Sequence, residues 1–191
     1  MRITGGEFRG RNIIAPPKGI SGVRPSMDMV REAVFSMLHG FLDWDEASVL
    51  DLYAGSGAYG FESLSRGASK AVFVEKRKIC ADAIIKTSEN LSVTKRCRIE
   101  IRSVESYLKS SSSTFSLVYA DPPYGQVSIK DLILFIKGAA VLSDNAILVF
   151  EHDLRENESI DKEIKNSALS GMQVLKQKGY SKTGILILKN I

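Results

Sequence analysis

This chain of 191 residues has no long apolar run and few cysteines or histidines. No apolar run approaches the roughly 18 residues of a membrane span. The opening Met1-Arg-Ile-Thr-Gly-Gly-Glu-Phe-Arg9 lacks the apolar core of a signal peptide, so the cytoplasm is the expected location. Cys80 and Cys97 are the only cysteines, which argues against a disulfide framework and leaves both as expected core fillers. His39 and His152 are the only histidines, and no metal-ligand spacing is present. What is abundant is ordinary: 44% hydrophobic and 25% charged residues, the balance of a soluble globular chain long enough for one substantial core.

The formal charge of +4 is small, but it is unevenly placed. Arg2, Arg9, Arg11, Lys18 and Arg24 face the single acid Glu7 within the first 24 residues. Such a segment can neutralise phosphates, or it can be a solvated basic tail. The glycines and prolines of the same stretch predict short strands and loops over residues 1–25. Ser26 can cap a helix carrying Met29, Val30, Ala33, Val34, Met37 and Leu38 at helical spacing and ending near Gly40.

Beyond that point strand and helix signals alternate. Strands are predicted over 48–53, 71–75, 98–101, 115–120 and 146–150, with helices over 59–66, 77–91, 104–108 and 129–141. A polar stretch covers 153–167, and 172–177 with 184–188 forms a closing antiparallel pair. This alternation predicts a parallel sheet wound on both faces, with ligands at the carboxyl ends of its strands.

Gly55-Ser-Gly57-Ala-Tyr-Gly60 lies between the first long strand and its helix. Glycines there allow a tight turn and close approach to a ligand. Glu75 follows Gly55 by 20 residues, where a carboxylate can accept from ribose hydroxyls. NAD and S-adenosylmethionine share these needs. Asp51, four residues before Gly55, separates them, because a carboxylate repels pyrophosphate but attracts an ammonium and a sulfonium. In a blander reading Asp51 is a strand-end turn former and Glu75 a solvated strand-end acid.

Asp121-Pro122-Pro123-Tyr124 follows the apolar run 115–120. Two prolines remove two backbone donors and stiffen the chain, leaving carbonyls that can accept from a planar exocyclic amine. Asp121 adds a carboxylate and Tyr124 a stacking face, a combination suited to methylating a nucleobase amine. Asp121 as a turn residue and Tyr124 as a buried aromatic are the structural alternatives. Likewise Arg24, Asp28, Arg31 and Glu32 can form an ion-paired helix surface.

With these residues in view, the chain resembles the RsmD family, class I methyltransferases acting on the N2 amine of a guanine in small-subunit ribosomal RNA. The likeness runs nearly end to end, through residues 2–11, Gly22-Val-Arg-Pro-Ser-Met-Asp28 with Val30-Arg-Glu32, the 50–60 loop, Leu64-Ser-Arg-Gly-Ala68, Phe73-Val-Glu75, the 121–124 tetrad and Phe150-Glu151. The basic opening and the 24–32 block carry the family; the glycine loop and the tetrad mark only a superfamily.

The resemblance implies a Rossmann-like α/β fold, with a seven-stranded, mostly parallel sheet and an antiparallel C-terminal hairpin. It divides the chain into a basic, RNA-facing extension over 1–25 and a methyltransferase domain over 26–191. It implies S-adenosylmethionine held by Asp51, Tyr53, Ala54, Gly55, Ser56, Gly57, Glu75, Ser103 and Asp121. Asp121, Pro122, Pro123 and Tyr124 would present the guanine, and the 24–32 block would close over them. Arg2, Arg9, Arg11 and Arg24 would bind RNA, the substrate being 16S rRNA within an assembled or assembling small subunit, with a monomer expected. Ser103 stands where Asp or Asn is usual, Arg77 where an acid is commoner, Ser26 for Thr and Ser36 for Asn. Three competing readings are a DNA adenine-N6 methyltransferase, a NAD-dependent oxidoreductase and a non-catalytic ribosome-assembly factor.

Overall fold

The computed structural model of the chain describes residues 1–17, 28–123, 127–156 and 171–191. Arg24, Ser26, Tyr124 and most of the polar 153–167 stretch lie outside the described residues. The elements in chain order are α1 (Asp28–Leu38), β1 (Ser48–Leu52), α2 (Ala58–Ser65), β2 (Lys70–Val74), α3 (Lys78–Asn90), β3 (Cys97–Glu100), α4 (Val104–Ser110), β4 (Phe115–Ala120), α5 (Ile129–Gly138), β5 (Leu142–Asp153), β6 (Met172–Tyr180) and β7 (Thr183–Asn190).

Seven strands form one sheet in the order β3-β2-β1-β4-β5-β7-β6. The first five are parallel, and β7 runs antiparallel to both of its neighbours. Central strands covered on both faces need apolar side chains in both directions. Thus Val49, Leu50 and Leu52 of β1 and Leu117, Val118 and Ala120 of β4 are all buried. Residues Val49, Leu117, Tyr119, Ile147 and Val149 pack against α1, α2 and α3. Leu50, Leu52, Val118, Leu148 and Phe150 pack against α4 and α5 on the opposite face.

The elements expected from sequence are present with shifted ends, and β5 is the largest departure. Its first residues, Leu142-Ser-Asp-Asn145, precede the strand expected over 146–150. They are exposed or half-buried, Leu142 pairs with Phe115, and Asn145 has φ 60°. Cys80 is buried as a core filler, whereas Cys97 is only half-buried at the start of β3. Met29, expected on the apolar stripe of α1, is 58% exposed.

Residues 1–17 fold back on α2. Of the short strands and loops expected over 1–25, residues 1–17 form loops joined by a bridge between Arg2 and Asn12, and residues 18–25 lie outside the described residues. Ile3, Phe8 and Ile13 enter the core, while the backbone amide of Glu7 donates to the Ser65 carbonyl at 2.7 Å. Glu62 on α2 organises this region. Its buried carboxylate accepts from the amides of Thr4 at 2.9 Å and Gly5 at 2.9 Å, from Arg66 at 2.9 Å and from Arg31 Nε at 3.3 Å. Arg31 is fully buried and also reaches Asp28 at 3.0 Å and the Arg2 carbonyl. The block 28–32 is therefore not only an ion-paired surface: Arg31 is an internal tie among α1, α2 and the first residues.

Candidate active site

The strand order reverses between β1 and β4, and in open α/β sheets the carboxyl side of such a switch point is where a crevice opens. Here a cleft opens at that point. Its walls include Asp51, Tyr53, Ala54, Gly55 and Ser56 after β1, Glu75, Lys76 and Arg77 after β2, Arg102, Ser103 and Glu105 ahead of and within α4, and Asp121 and Pro123 after β4. Eight of the nine residues expected to hold the cofactor thus meet in one place.

Gly57 is the exception. It does not line the cleft but sits at φ 75° as the residue before α2. A Cβ there would lie 2.9 Å from Phe61 and 3.0 Å from Phe73. Gly60 is tighter still, since a Cβ would come within 2.2 Å of Phe73 Cε1. The second and third glycines of the loop therefore let α2 seat directly on β2, and only Gly55 faces the cleft. Pro122 is buried and also off the lining, so its side chain stiffens the corner that Asp121 and Pro123 form.

The register explains why the acids converge. Asp51 pairs with Phe73 and Tyr119, and Ala120 pairs with Phe150. Strand alternation then carries Glu75, Asp51, Asp121 and Glu151 to the same face, in a row across four adjacent strand ends. Tyr59 of α2 lies beneath this row, stacked on Tyr119 at 4.8 Å between centroids, and donates from its hydroxyl to Glu151 Oε2 at 2.9 Å. Burial, Glu151 and Asp121 together hold the Tyr59 phenol well above its ordinary pKa.

Asp51 is buried and accepts from the Gly60 amide at 3.0 Å. Burial pushes its carboxyl up to about 8; the amide bond opposes this, and the nearby Glu75 adds to it. Glu75 is anchored from two sides, by the Gly55 amide at 3.0 Å and by the Arg77 amide and Nε at 2.8 and 3.1 Å. Arg77, singled out in the sequence only as a departure, is the partner of the expected ribose carboxylate. Ser103 spends its hydroxyl as the cap of α4, accepting from the Ser106 amide at 3.1 Å. Sequence reasoning missed Tyr59, Arg77 and Arg102 as cleft residues; Tyr59 was detectable as a bulky residue inside the glycine loop.

The arrangement suits a cationic ligand with a hydroxylated sugar. A buried carboxyl held near pH 8 gains when a cation arrives beside it. The Tyr53 hydroxyl, buried in the same wall with no partner among the described residues, offers a further polar contact. Among the described residues no group of His, Cys, Asp or Glu could hold a metal ion, and no helix is long and apolar enough to cross a membrane.

Comparison with solved structures places this fold. The structure of yhhF from Escherichia coli superposes with a TM-score of 0.81 over 100% of this chain and 97% of that one, at 26% identity. A more distant methyltransferase solved with S-adenosylhomocysteine shares the fold at a TM-score of 0.70 and 16% identity, over 88% of this chain and 50% of its own. Sheet order, antiparallel hairpin and cleft together define a class I, Rossmann-like methyltransferase fold. The family model described as Conserved hypothetical protein 95 matches residues 1–189. Ribosomal RNA small subunit methyltransferase D of Escherichia coli K12 is 32% identical over 81% of this chain and 75% of its own length, and YlbH of Bacillus subtilis is 29% identical over 99% and 98%. The chain belongs to the RsmD family of ribosomal RNA methyltransferases.

Proposed function

We propose that this protein transfers the methyl group of S-adenosylmethionine to the exocyclic N2 of a guanine in 16S rRNA, acting as a cytoplasmic monomer on an assembled or assembling small ribosomal subunit. Family membership supports rRNA as the substrate class and methyl transfer as the reaction. The observation that carries the site assignment is the meeting, in one cleft, of a buried Asp51, a doubly anchored Glu75 and the Asp121–Pro123 corner.

When bound, S-adenosylmethionine supplies an electrophilic methyl on a positively charged sulfur. In this reading Asp51 balances its positive charges, with Tyr53, Ala54, Gly55 and Ser56 as the neighbouring wall, and Glu75 accepts from its ribose. Arg77 keeps the Glu75 carboxylate fixed. Ser103 contributes through its backbone, since its hydroxyl is committed to the helix cap.

Methyl transfer is an in-line displacement, so the protein's task is alignment and exclusion of water. Asp121 and the Pro122 carbonyl accept from the two N2 hydrogens, which favours the pyramidal, more nucleophilic nitrogen. Asp121 takes the proton released after transfer. Tyr124 stacks on the unstacked guanine, recovering roughly 1–3 kcal/mol of the cost of flipping it. Arg2, Arg9 and Arg11 are exposed on the extension and available to rRNA phosphates, and Arg24 is assigned to the same task.

Replacing Asp121 by Ala and following methyl incorporation into small-subunit particles tests the assignment. Activity should fall at least 100-fold, well beyond any loss of S-adenosylmethionine affinity measured in parallel. Retained activity would reject the role given to Asp121.

A further inference from the structure

Lys176, Lys178, Lys182 and Lys189 are the only charged residues of the last 20, so the closing hairpin carries +4. The whole chain also carries +4, and residues 1–171 therefore balance 22 cations against 22 acids. The basic opening over residues 1–24 carries another +4, and residues 25–171 between the two carry −4. Lys176, Lys178 and Lys182 are exposed, and none of the four lysines pairs with a carboxylate among the described residues.

Position makes the charge informative. β6 is the last strand of the sheet among the described residues, so one of its flanks has no neighbouring strand among them. Lys176 pairs with Ile187 and Lys178 with Ile185, and both isoleucines face the core formed with α1, α2 and α3. The two lysines therefore project on the face that carries the row of carboxylates. The register continues the row directly: Asp121 follows Ala120, which pairs with Phe150; Glu151 pairs with Ile185, and Ile185 with Lys178. Three strand spacings separate Asp121 from Lys178, about 14 Å, a reach of a few nucleotides. Lys182 lies beyond Lys178 in the turn between β6 and β7. On a strand, residues i and i+2 stand about 6.7 Å apart, close to the step between neighbouring phosphates of an extended RNA strand.

We propose that the face of β6 and its turn, presenting Lys176, Lys178 and Lys182, is a second RNA-contact surface that grips the rRNA backbone flanking the target guanine. This rests on the methyltransferase reading, and it adds a contact opposite the basic extension. Lysines on an edge strand also discourage edge-to-edge aggregation, a role in which glutamate serves as well as lysine. Reversal of charge separates the two.

The test compares wild-type protein with the K176E/K178E/K182E variant and a K176Q/K178Q/K182Q variant whose thermal midpoint is checked against wild type. Binding to purified small-subunit particles, binding to protein-free 16S rRNA and steady-state methyl transfer are measured over a salt series. The reversed variant should raise KM for particles at least tenfold, leave kcat and S-adenosylmethionine affinity unchanged, and lower the salt slope of binding by about 2, with the Gln variant intermediate. Wild-type methylation with an unaltered reversed variant would overturn the hairpin contact alone. Loss of particle binding with full binding to protein-free rRNA would overturn it in favour of a ribosomal protein partner. Wild-type protein that neither binds nor methylates the particles would overturn the proposed function and the hairpin contact together.

Discussion

Asp51 offers a prediction in which stability and cofactor binding move in opposite directions. Its carboxyl is raised from 3.8 to about 8 in the free protein, chiefly by burial. At pH 7 it is then about nine-tenths protonated, and at pH 6 about 99%. An ammonium or sulfonium beside it favours the ionised form, so binding of S-adenosylmethionine must expel a proton below pH 8. Apparent affinity is reduced by the fraction of competent protein. It should rise about 50-fold between pH 6 and pH 8 and at most about twofold more above that.

The same shift acts against folding. A carboxyl raised on folding contributes its stability fully below the unfolded pKa near 4, and loses it as pH rises through about 8. Asp51→Asn escapes that loss. The variant should therefore melt several degrees above wild type at pH 8.5 while binding S-adenosylmethionine at least tenfold more weakly and with no pH slope. Calorimetric titration at pH 6, 7 and 8, in buffers of different ionisation enthalpy, reads both affinity and proton release. An affinity that is flat across this range, or an Asn variant that binds like wild type, would refute the assignment of Asp51 to a cationic ligand.

Other expectations follow from particular contacts. Glu62→Ala removes the acceptor shared by Thr4, Gly5, Arg31 and Arg66 and leaves the buried Arg31 with only the exposed carboxylate of Asp28, so urea unfolding should show a loss of about 3–5 kcal/mol. Gly60→Ala drives a Cβ into Phe73 and should cost about 1–3 kcal/mol, whereas Gly10→Ala, with open space around it but φ 81°, should cost less. Arg77→Ala frees Glu75 from one of its anchors and should raise KM for S-adenosylmethionine severalfold with kcat nearly unchanged in steady-state assays.

Much of this fold is written in local pattern. Apolar runs bounded by glycine or polar residues marked the central strands because a strand buried on both faces has no alternative composition. The cleft was legible for the same reason: Asp51, Gly55, Glu75 and Asp121 all sit where strands end, and the parallel sheet gathers those ends. The hidden features are those created by partners distant in sequence. Glu62 reads as an ordinary helical acid until Thr4, 58 residues away, is seen to donate to it. Arg31 looks like a surface cation because its neighbours are Asp28 and Glu32, yet its buried partner is on another helix. The start of β5 gave no strand signal because the three residues after Leu142 are polar, and the pairing of Leu142 with Phe115 rather than composition makes it a strand.

The most direct measurement is mass spectrometry of nucleosides from small-subunit particles lacking the modification, treated with the purified protein and S-adenosylmethionine. One N2-methylguanosine per 16S rRNA is the predicted product, abolished by Asp121→Ala. A methyl group on adenine, on another atom of guanine, or on no nucleoside at all would contradict a corner built to hold the guanine amine.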